Sequence, residues 1–501
     1  MDKILINKNI VELNDFLSLV NNLKETGKYL LGIVASDERK FDSKFNIKYF
    51  FGGNGIIDEY LVKVDEKFQS ISKICPAAKM YEREIHDLFG LVPDGHPDLR
   101  ALMLYPENWD FSVQPLKKDY DNLVPKVKEY GKYKFKEVSG EGIFEVLVGP
   151  VHAGIIEPGH FRFSLAGEPV LQLEIRHFWK HRGIEKVCEG KDFNEVMNLV
   201  IKISGDNNVN IAISYLQAVE SILNIELTER AKYIRMIYAE IERIWNYVRD
   251  VAWIFMDIGF ALPAQNLFSL QEELMRLNKS LTGQRFLFNS LTVGGVNFDI
   301  DSLKIKAIAE TIERVEKVMK ECEAFILNSS TVLDRLEFTG KINKKTAEEL
   351  SLCGISARAS GLPRDTRIEF PYLIYGKFDL KPVLFESGDV FARTALRIKE
   401  IYVSKKIIGD LLFNLPEGDI IVAYENKPEA YKYAVGNSET ARGNAFFYVM
   451  ADDKGKIFRL KYIDPSFRIW PSIQYGVLGN IIADFPLINK SLNLSYSGND
   501  M

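Results

Sequence analysis

At 501 residues the chain is too long for one ordinary hydrophobic core, so roughly two to four domains are expected. Its 47% hydrophobic and 27% charged residues are those of a globular protein, and a net charge of −5 gives no reason to expect a nucleic-acid partner. The start, MDKILINKNIVELNDF, lacks the basic, apolar and small-residue succession of a signal peptide, and no apolar run is long enough to span a bilayer.

In chain order, residues 28–37 (KYLLGIVASD) read as a strand, and 46–65 read as two strands around a glycine turn. FGGNG (51–55) belongs to that turn and is not a phosphate cradle; no G-x-G-x-x-G or Walker loop speaks for direct NAD or ATP binding. YEREIHDLFG (81–90) reads, from spacing alone, as a solvated helix face laced with ion pairs. The charged, glycine-closed stretch 119–142 reads as an interdomain linker, set at 121–142. Strands follow at 143–150, 160–165 and 169–176. From about 191 the period becomes helical. Residues 229–259 place Ile234, Ile237, Ile241, Ile244, Trp245, Val248 and Ala252 on one stripe, with Thr228 as a candidate N-cap. Residues 303–337 read as a second long helix, and together they suggest a bundle over about 191–345. The last third, about 370–501, is mixed, so the fold class is α+β.

Four cysteines, Cys75, Cys188, Cys322 and Cys353, form no CxxC pair, so the chain offers no iron–sulfur or zinc framework of its own and fits a reducing cytoplasm. All six histidines lie before residue 182. His177 and His181 would share a helical face and could hold a metal, but no third ligand accompanies them, and a surface or core pair explains them as well. In GPVHAGIIEPGHFRF (149–163), glycines and a proline turn the chain between strands and leave His152, Glu157 and His160 on the rim, where titratable groups do chemistry or merely brace a loop. RASGLPRDTR (358–367) gathers Arg358, Arg364, Asp365 and Arg367, able to hold an anion, a partner's acidic patch, or each other.

Together these stretches resemble a known pair. YEREIHDLFG, HPDLRALMLYPENW (96–109) and QPLKKDY (114–120) are similar to the C-type component of respiratory complex I, a small α+β domain. From Gly149 on, the chain resembles the D-type component of complex I and the large subunit of group 4 membrane-bound nickel–iron hydrogenases, through EIRHFWKHRGIEK (174–186), SYLQAVE (214–220), LTGQRF (281–286), ARASGLPRDTR (357–367), SGDVFAR (387–393), DPSFRIWPS (464–472) and IIADFPLINKSLNLSYSGND (481–500). The resemblance implies residues 1–120 as a C-like domain and 143–501 as a D-like or hydrogenase-like domain.

Hydrogenases of this family hold nickel and iron through two CxxC pairs. At the matching places stand Ser204 and Asn207 in KISGDNN (202–208), and Ser495 and Gly498 in NLSYSGND (493–500). Such a centre needs soft, deprotonated sulfur, so no metal is expected here. The chain also ends at Met501 without the cleavable tail of many nickel-loaded relatives. The tyrosine that helps hold a quinone headgroup in complex I falls on Gly205, and a second family histidine falls on Leu287, while the histidine of the GPxH loop survives as His152.

The resemblance further implies Arg182 beside a partner's terminal 4Fe–4S cluster, Glu157 and His160 in a loop linked with proton movement, and Arg358, Asp365 and Arg367 as a supporting arginine–aspartate motif. It implies no cofactor on this chain. The partners would be a small iron–sulfur subunit of the complex I B type, a ferredoxin-like subunit and antiporter-like membrane subunits. The chain would sit peripherally on the cytoplasmic face of the cell membrane. Three readings compete: an electron-transfer subunit with a nickel-free pocket, a divergent quinone-reductase subunit of the fused C/D type, and a scaffold without chemistry.

Overall fold

The computed structural model describes residues 5–11, 15–120, 131–152 and 156–501. The strands Tyr29–Asp37, Phe45–Gly53 and Ile56–Val64 form an antiparallel meander, and Ile6–Ile10 adds to its Ile56–Val64 edge in parallel. Gly53, Asn54 and Gly55 take positive φ at the expected glycine turn, as a tight hairpin requires. Helix Phe16–Glu25 lays Phe16, Val20 and Leu23 on one face of this sheet, at the i, i+4, i+7 spacing of a helical stripe, with Phe16 against Tyr49 at 4.4 Å between ring centroids.

Strand Tyr29–Asp37, at one edge of the sheet, and its neighbour Phe45–Gly53 are buried at every position, a pattern that needs cover on both faces. The second cover comes from the far end of the chain. Phe446, Tyr448 and Ile463, on the antiparallel strands Asn444–Ala451 and Ile457–Ile463, belong to the same apolar cluster as Phe50 and Phe51. A Cβ at Gly32 would overlap Ile463, so the bare backbone there sets how closely the two parts approach. Each such large side chain removed from water contributes about 1.5–3 kcal/mol.

Helix Lys79–Phe89 corrects the solvated-face reading: Glu82, Glu84 and Asp87 are buried. Glu82 accepts from the hydroxyls of Ser70 and Ser72 and from the Ile71 N–H, Asp87 accepts from the N–H groups of Leu102 and Met103, and Glu84 pairs with Lys461. The charges are internal crosslinks, and their partners lie outside the helix.

Of the linker, residues 121–130 fall outside the described residues, and 131–142 contain no helix or strand. Strands Ile143–Val148, His160–Ala166 and Val170–Arg176 form the expected antiparallel sheet. Helices Asn208–Leu223, Glu229–Asp257, Ala261–Thr282, Ser302–Asn328 and Val390–Phe413 build the central helical core. Thr228 caps Glu229–Asp257 by accepting from Ala231 N–H at 3.1 Å. The expected helix 303–337 is broken at Ser329, which leaves helical geometry and caps a new helix, Ser330–Leu336. Residues 177–181 form a turn rather than a helix, so His177 and His181 do not share a helical face. The C-terminal region adds helices Pro465–Gly476, Phe485–Leu492 and Tyr496–Asp500. Among the described residues, no helix is long and apolar enough to cross a membrane.

Candidate functional site

Three segments that are remote in sequence meet at one cleft of about 440 Å³. They are the loop after Ile143–Val148, the stretch before Asn208–Leu223, and the turn before the last helix. The loop is closed at its base by two histidines: His152 Nε2 lies 2.7 Å from the Gly159 carbonyl, and His160 Nδ1 lies 3.2 Å from the Gly149 carbonyl. Gly149 has φ +82°, and a Cβ there would overlap the Gly159 carbonyl, so only glycine fits this closure. Residues 153–155 lie outside the described residues. Glu157 ties the loop to both neighbours, receiving Lys180 Nζ at 2.8 Å and the Ser497 N–H at 3.0 Å.

On the facing wall Ser204 Oγ donates to Asp206 Oδ1 at 2.8 Å and lies 3.0 Å from Ser495 Oγ. Asp206 receives Arg442 through both Nη atoms, at 3.0 and 2.6 Å, and Arg249 Nη1 at 3.0 Å. Burial opposes its charge, but the two guanidiniums outweigh burial and hold its carboxyl well below the usual range. Behind them Asp250 receives Arg397 Nε at 3.0 Å and Asn493 Nδ2 at 2.6 Å. Lys490 also lines the cleft, 5.1 Å from the Trp253 ring centroid; burial lowers its pKa, and Asp257 opposes that shift.

The four positions that the resemblance matches to hydrogenase thiolates do not form a metal cradle. Ser204 and Ser495 face each other at hydrogen-bond distance. Asn207 spends its side chain on Asp206 and on the Ala441 N–H. A Cβ at Gly498 would collide with the Asp464 carboxylate. The cysteines are no substitute: Cys188 and Cys322 are buried apart from this cleft, and burial pushes their thiols up to about 12 and about 11, away from the thiolate a metal needs. Among the described residues no group of three His, Cys, Asp or Glu side chains is placed to hold a metal ion. A nickel–iron centre therefore does not fit these residues.

Of the residues singled out from sequence, His152 and Glu157 line this cleft, while His160 sits behind it in the loop base, its ring 5.3 Å from Phe135. Arg182 is exposed at the rim and is held there by the carbonyls of Ile203 and Ser497, each at 3.1 Å. His181 Nδ1 anchors on the Asp500 carbonyl at 2.7 Å, fixing the last helix against the HRG segment.

Arg358, Asp365 and Arg367 do not line the cleft; they lie together in the interior, none more than 2% exposed. Arg358 reaches Asp365 at 3.1 Å, Glu439 at 3.0 Å and Glu400 at 3.5 Å, and Arg367 reaches Asp365 and Glu400 at 2.6 Å each. Glu240, paired with Arg243 at 3.2 Å and receiving the Ser404 hydroxyl at 2.5 Å, completes the network. Asp206, Arg249, Arg442, Glu240, Glu400 and Glu439 escaped the sequence reading. The signal for Glu240 and Arg243 was an i, i+3 charge pair beside the apolar stripe of a long helix; the others have no local pattern, since their partners are remote in the chain.

The chain matches the family of the respiratory-chain NADH dehydrogenase 30 kDa subunit over residues 10–124, and that of the 49 kDa subunit over 257–438 and 424–501. It is 30% identical to formate hydrogenlyase subunit 5 of Escherichia coli over 489 residues, covering 95% of this chain and 85% of that protein. It is 29% identical to the C/D subunit of the NADH-quinone oxidoreductase of Phocaeicola vulgatus, covering 85% of each chain. Among solved structures it resembles a chain of the membrane-bound sulfane sulfur reductase, an archaeal respiratory membrane complex, with a TM-score of 0.68 and 26% identity over 72% of this chain and 99% of that one. The chain belongs to the family of fused 30 kDa and 49 kDa subunits of complex I-related, membrane-bound oxidoreductases.

Proposed function

We propose that this protein forms a nickel-free acceptor pocket at the cleft around Ser204 and Ser495, supplied with electrons by an iron–sulfur cluster in a docked small subunit of the complex I B type. The observation that carries the reading is the direct approach of Ser204 to Ser495, at 3.0 Å, where the resemblance puts thiolates. Hard, protonated hydroxyls hydrogen-bonded to each other leave no soft ligand for nickel, so redox work at this cleft uses a neighbour's cofactor. Exposed Arg182, fixed over Ile203 and Ser497, is the group to meet that cluster; a positive charge there stabilises its more negative reduced form. His152 and Glu157 on the opposite wall are the groups to move protons to a reduced acceptor. A ferredoxin-like donor and antiporter-like membrane subunits would complete the assembly, with this chain peripheral on the cytoplasmic face. The C-like region 1–120, the linker 121–142 and the D-like region 143–501 are the proposed division of the chain.

Sulfane sulfur is the first acceptor to try, since the solved relative is a sulfane sulfur reductase and Lys490 lines the cleft. Quinone reduction is the second reading. It is favoured by His152 in a cleft that also presents Phe161, Trp253 and Phe485, and disfavoured by Gly205 in place of a phenol. The test is turnover by the purified complex with a low-potential donor and polysulfide, a short-chain quinone or protons as acceptor. Turnover with polysulfide that falls at least about tenfold in Glu157→Gln and His152→Ala supports the pocket. Proton reduction to hydrogen at a comparable rate contradicts it, and turnover unchanged in both variants and in Arg182→Ala leaves this chain as a scaffold.

A further inference from the structure

A second cleft, of about 360 Å³, opens between helix Lys79–Phe89, strand Val170–Arg176 and helix Pro465–Gly476, with Tyr133 and Lys136 at its edge. It shares no lining residue with the Ser204 cleft. Its lining carries more cations than anions, although Lys136 also reaches Asp98 at 3.4 Å and Arg176 pairs with Glu107 at 2.8 Å. Six Lys and Arg side chains line it against two carboxylates, Asp98 and Glu174, and both carboxylates are already engaged by Arg100, at 2.7 and 2.5 Å. Arg468 is 3% exposed and spends Nη2 on Asn444 Oδ1 at 2.9 Å, but its Nε and Nη1 have no partner. The indole N–H of Trp470, 1% exposed and also part of the lining, has none either. Buried donors left unpaired are costly, more so when charged, so a cleft lined by the residues that carry them is suited to receive an acceptor. The first turn of helix Lys79–Phe89 lines the same space through Lys79 and Met80. The remaining walls are apolar, formed by Leu171, Leu350 and Leu478.

We propose that this cleft is a binding site for a small organic anion with an apolar body, a phosphate monoester or a carboxylate. Its head would pair with Arg468 and Lys136, and its body would lie along Leu171, Leu350 and Leu478. The site is independent of the reading of the Ser204 cleft. It adjoins that cleft through aromatic contacts: Trp470 of the lining lies 4.9 Å from Tyr496 of the other cleft, and His177 lies 5.4 Å from it.

Calorimetric titration of the purified full chain tests this, with octyl phosphate and octanoate as probes and inorganic phosphate and octanol as the head and the body alone. Saturable binding of octyl phosphate or octanoate is expected, with the isolated head and body each at least about tenfold weaker; the tighter of the two probes identifies the head group. Arg468→Gln and Leu171→Glu should each weaken binding at least about tenfold, the first by removing the buried donor and the second by placing a carboxylate at the mouth. Leu171 is 44% exposed, so its variant folds even where Arg468→Gln does not. Absence of saturable binding by both probes, or unchanged affinity in folded Leu171→Glu, overturns the proposal.

Discussion

Replacing Asp206 by Asn keeps an acceptor in place for Ser204 and Asn207 but removes the one charge that Arg442 and Arg249 share. The side chains of Asp206, Arg442 and Arg249 are 20%, 7% and 16% exposed, so the cluster lies between a surface ion pair and a fully buried one. An exposed pair contributes about 0–1 kcal/mol, and loss of one partner from a buried pair costs about 3–5 kcal/mol; the expected loss here is about 2–4 kcal/mol. Unfolding entropy of about 2.1 cal/mol/K per residue gives about 1 kcal/mol/K for a chain of this length, so Tm should fall by about 2–4 °C in differential scanning calorimetry at pH 7. The pH dependence has a definite sign. Asp206 has a depressed folded pKa, so its contribution is complete above the ordinary carboxylate pKa of about 4 and fades as pH falls further, through the folded value. The deficit should therefore be the same at pH 7 and pH 5 and shrink only below about pH 4. An Asp206→Asn variant as stable as wild type at pH 7 would refute the claim that this carboxylate holds the two arginines.

Gly498→Cys should lower stability by about 1–3 kcal/mol in urea unfolding without gaining nickel, because the new Cβ meets the Asp464 carboxylate. Arg358→Met should cost about 3–5 kcal/mol, or abolish soluble expression, because buried Glu439 would lose its cation and Asp365 and Glu400 would be left to share Arg367; thermal unfolding of the variant measures it. Thr228→Ala should cost only about 1 kcal/mol, read by the same assay, since it removes one cap from Ala231 N–H. In the assembled complex Arg182→Ala should lower the midpoint potential of the adjacent cluster in an EPR redox titration; an unmoved midpoint would place the cluster elsewhere.

Local pattern made part of this fold legible. The apolar run 28–37, the glycine turn near 54 and the stripe on 229–257 each carry their own period, and each element is present. Helix Val390–Phe413 was not legible, because Arg393, Arg397 and Glu400 are buried on it and blur the stripe that marks a helix. The same cause misplaced 81–90: Glu82, Glu84 and Asp87 look like a solvated face until Ser70, Lys461 and the Leu102–Leu104 backbone are brought to them. At the cleft, family resemblance marked Ser204, Ser495, His152 and Glu157, which the fold brings together. It did not mark Asp206, Arg249 or Arg442, whose meaning lies in a three-way contact between distant segments. Arg358, Asp365 and Arg367 were visible as a cluster, yet their burial follows only from the acidic partners that enclose them.

The claim beneath the account is that hydroxyl, amide and bare backbone at 204, 207, 495 and 498 cannot grip a nickel–iron centre. Nickel quantification by plasma mass spectrometry on the intact complex, purified anaerobically from nickel-supplemented cells, addresses it directly. Iron from the partner clusters and nickel at background are the expected result. Nickel in stoichiometric ratio to this chain, retained through gel filtration, would contradict it.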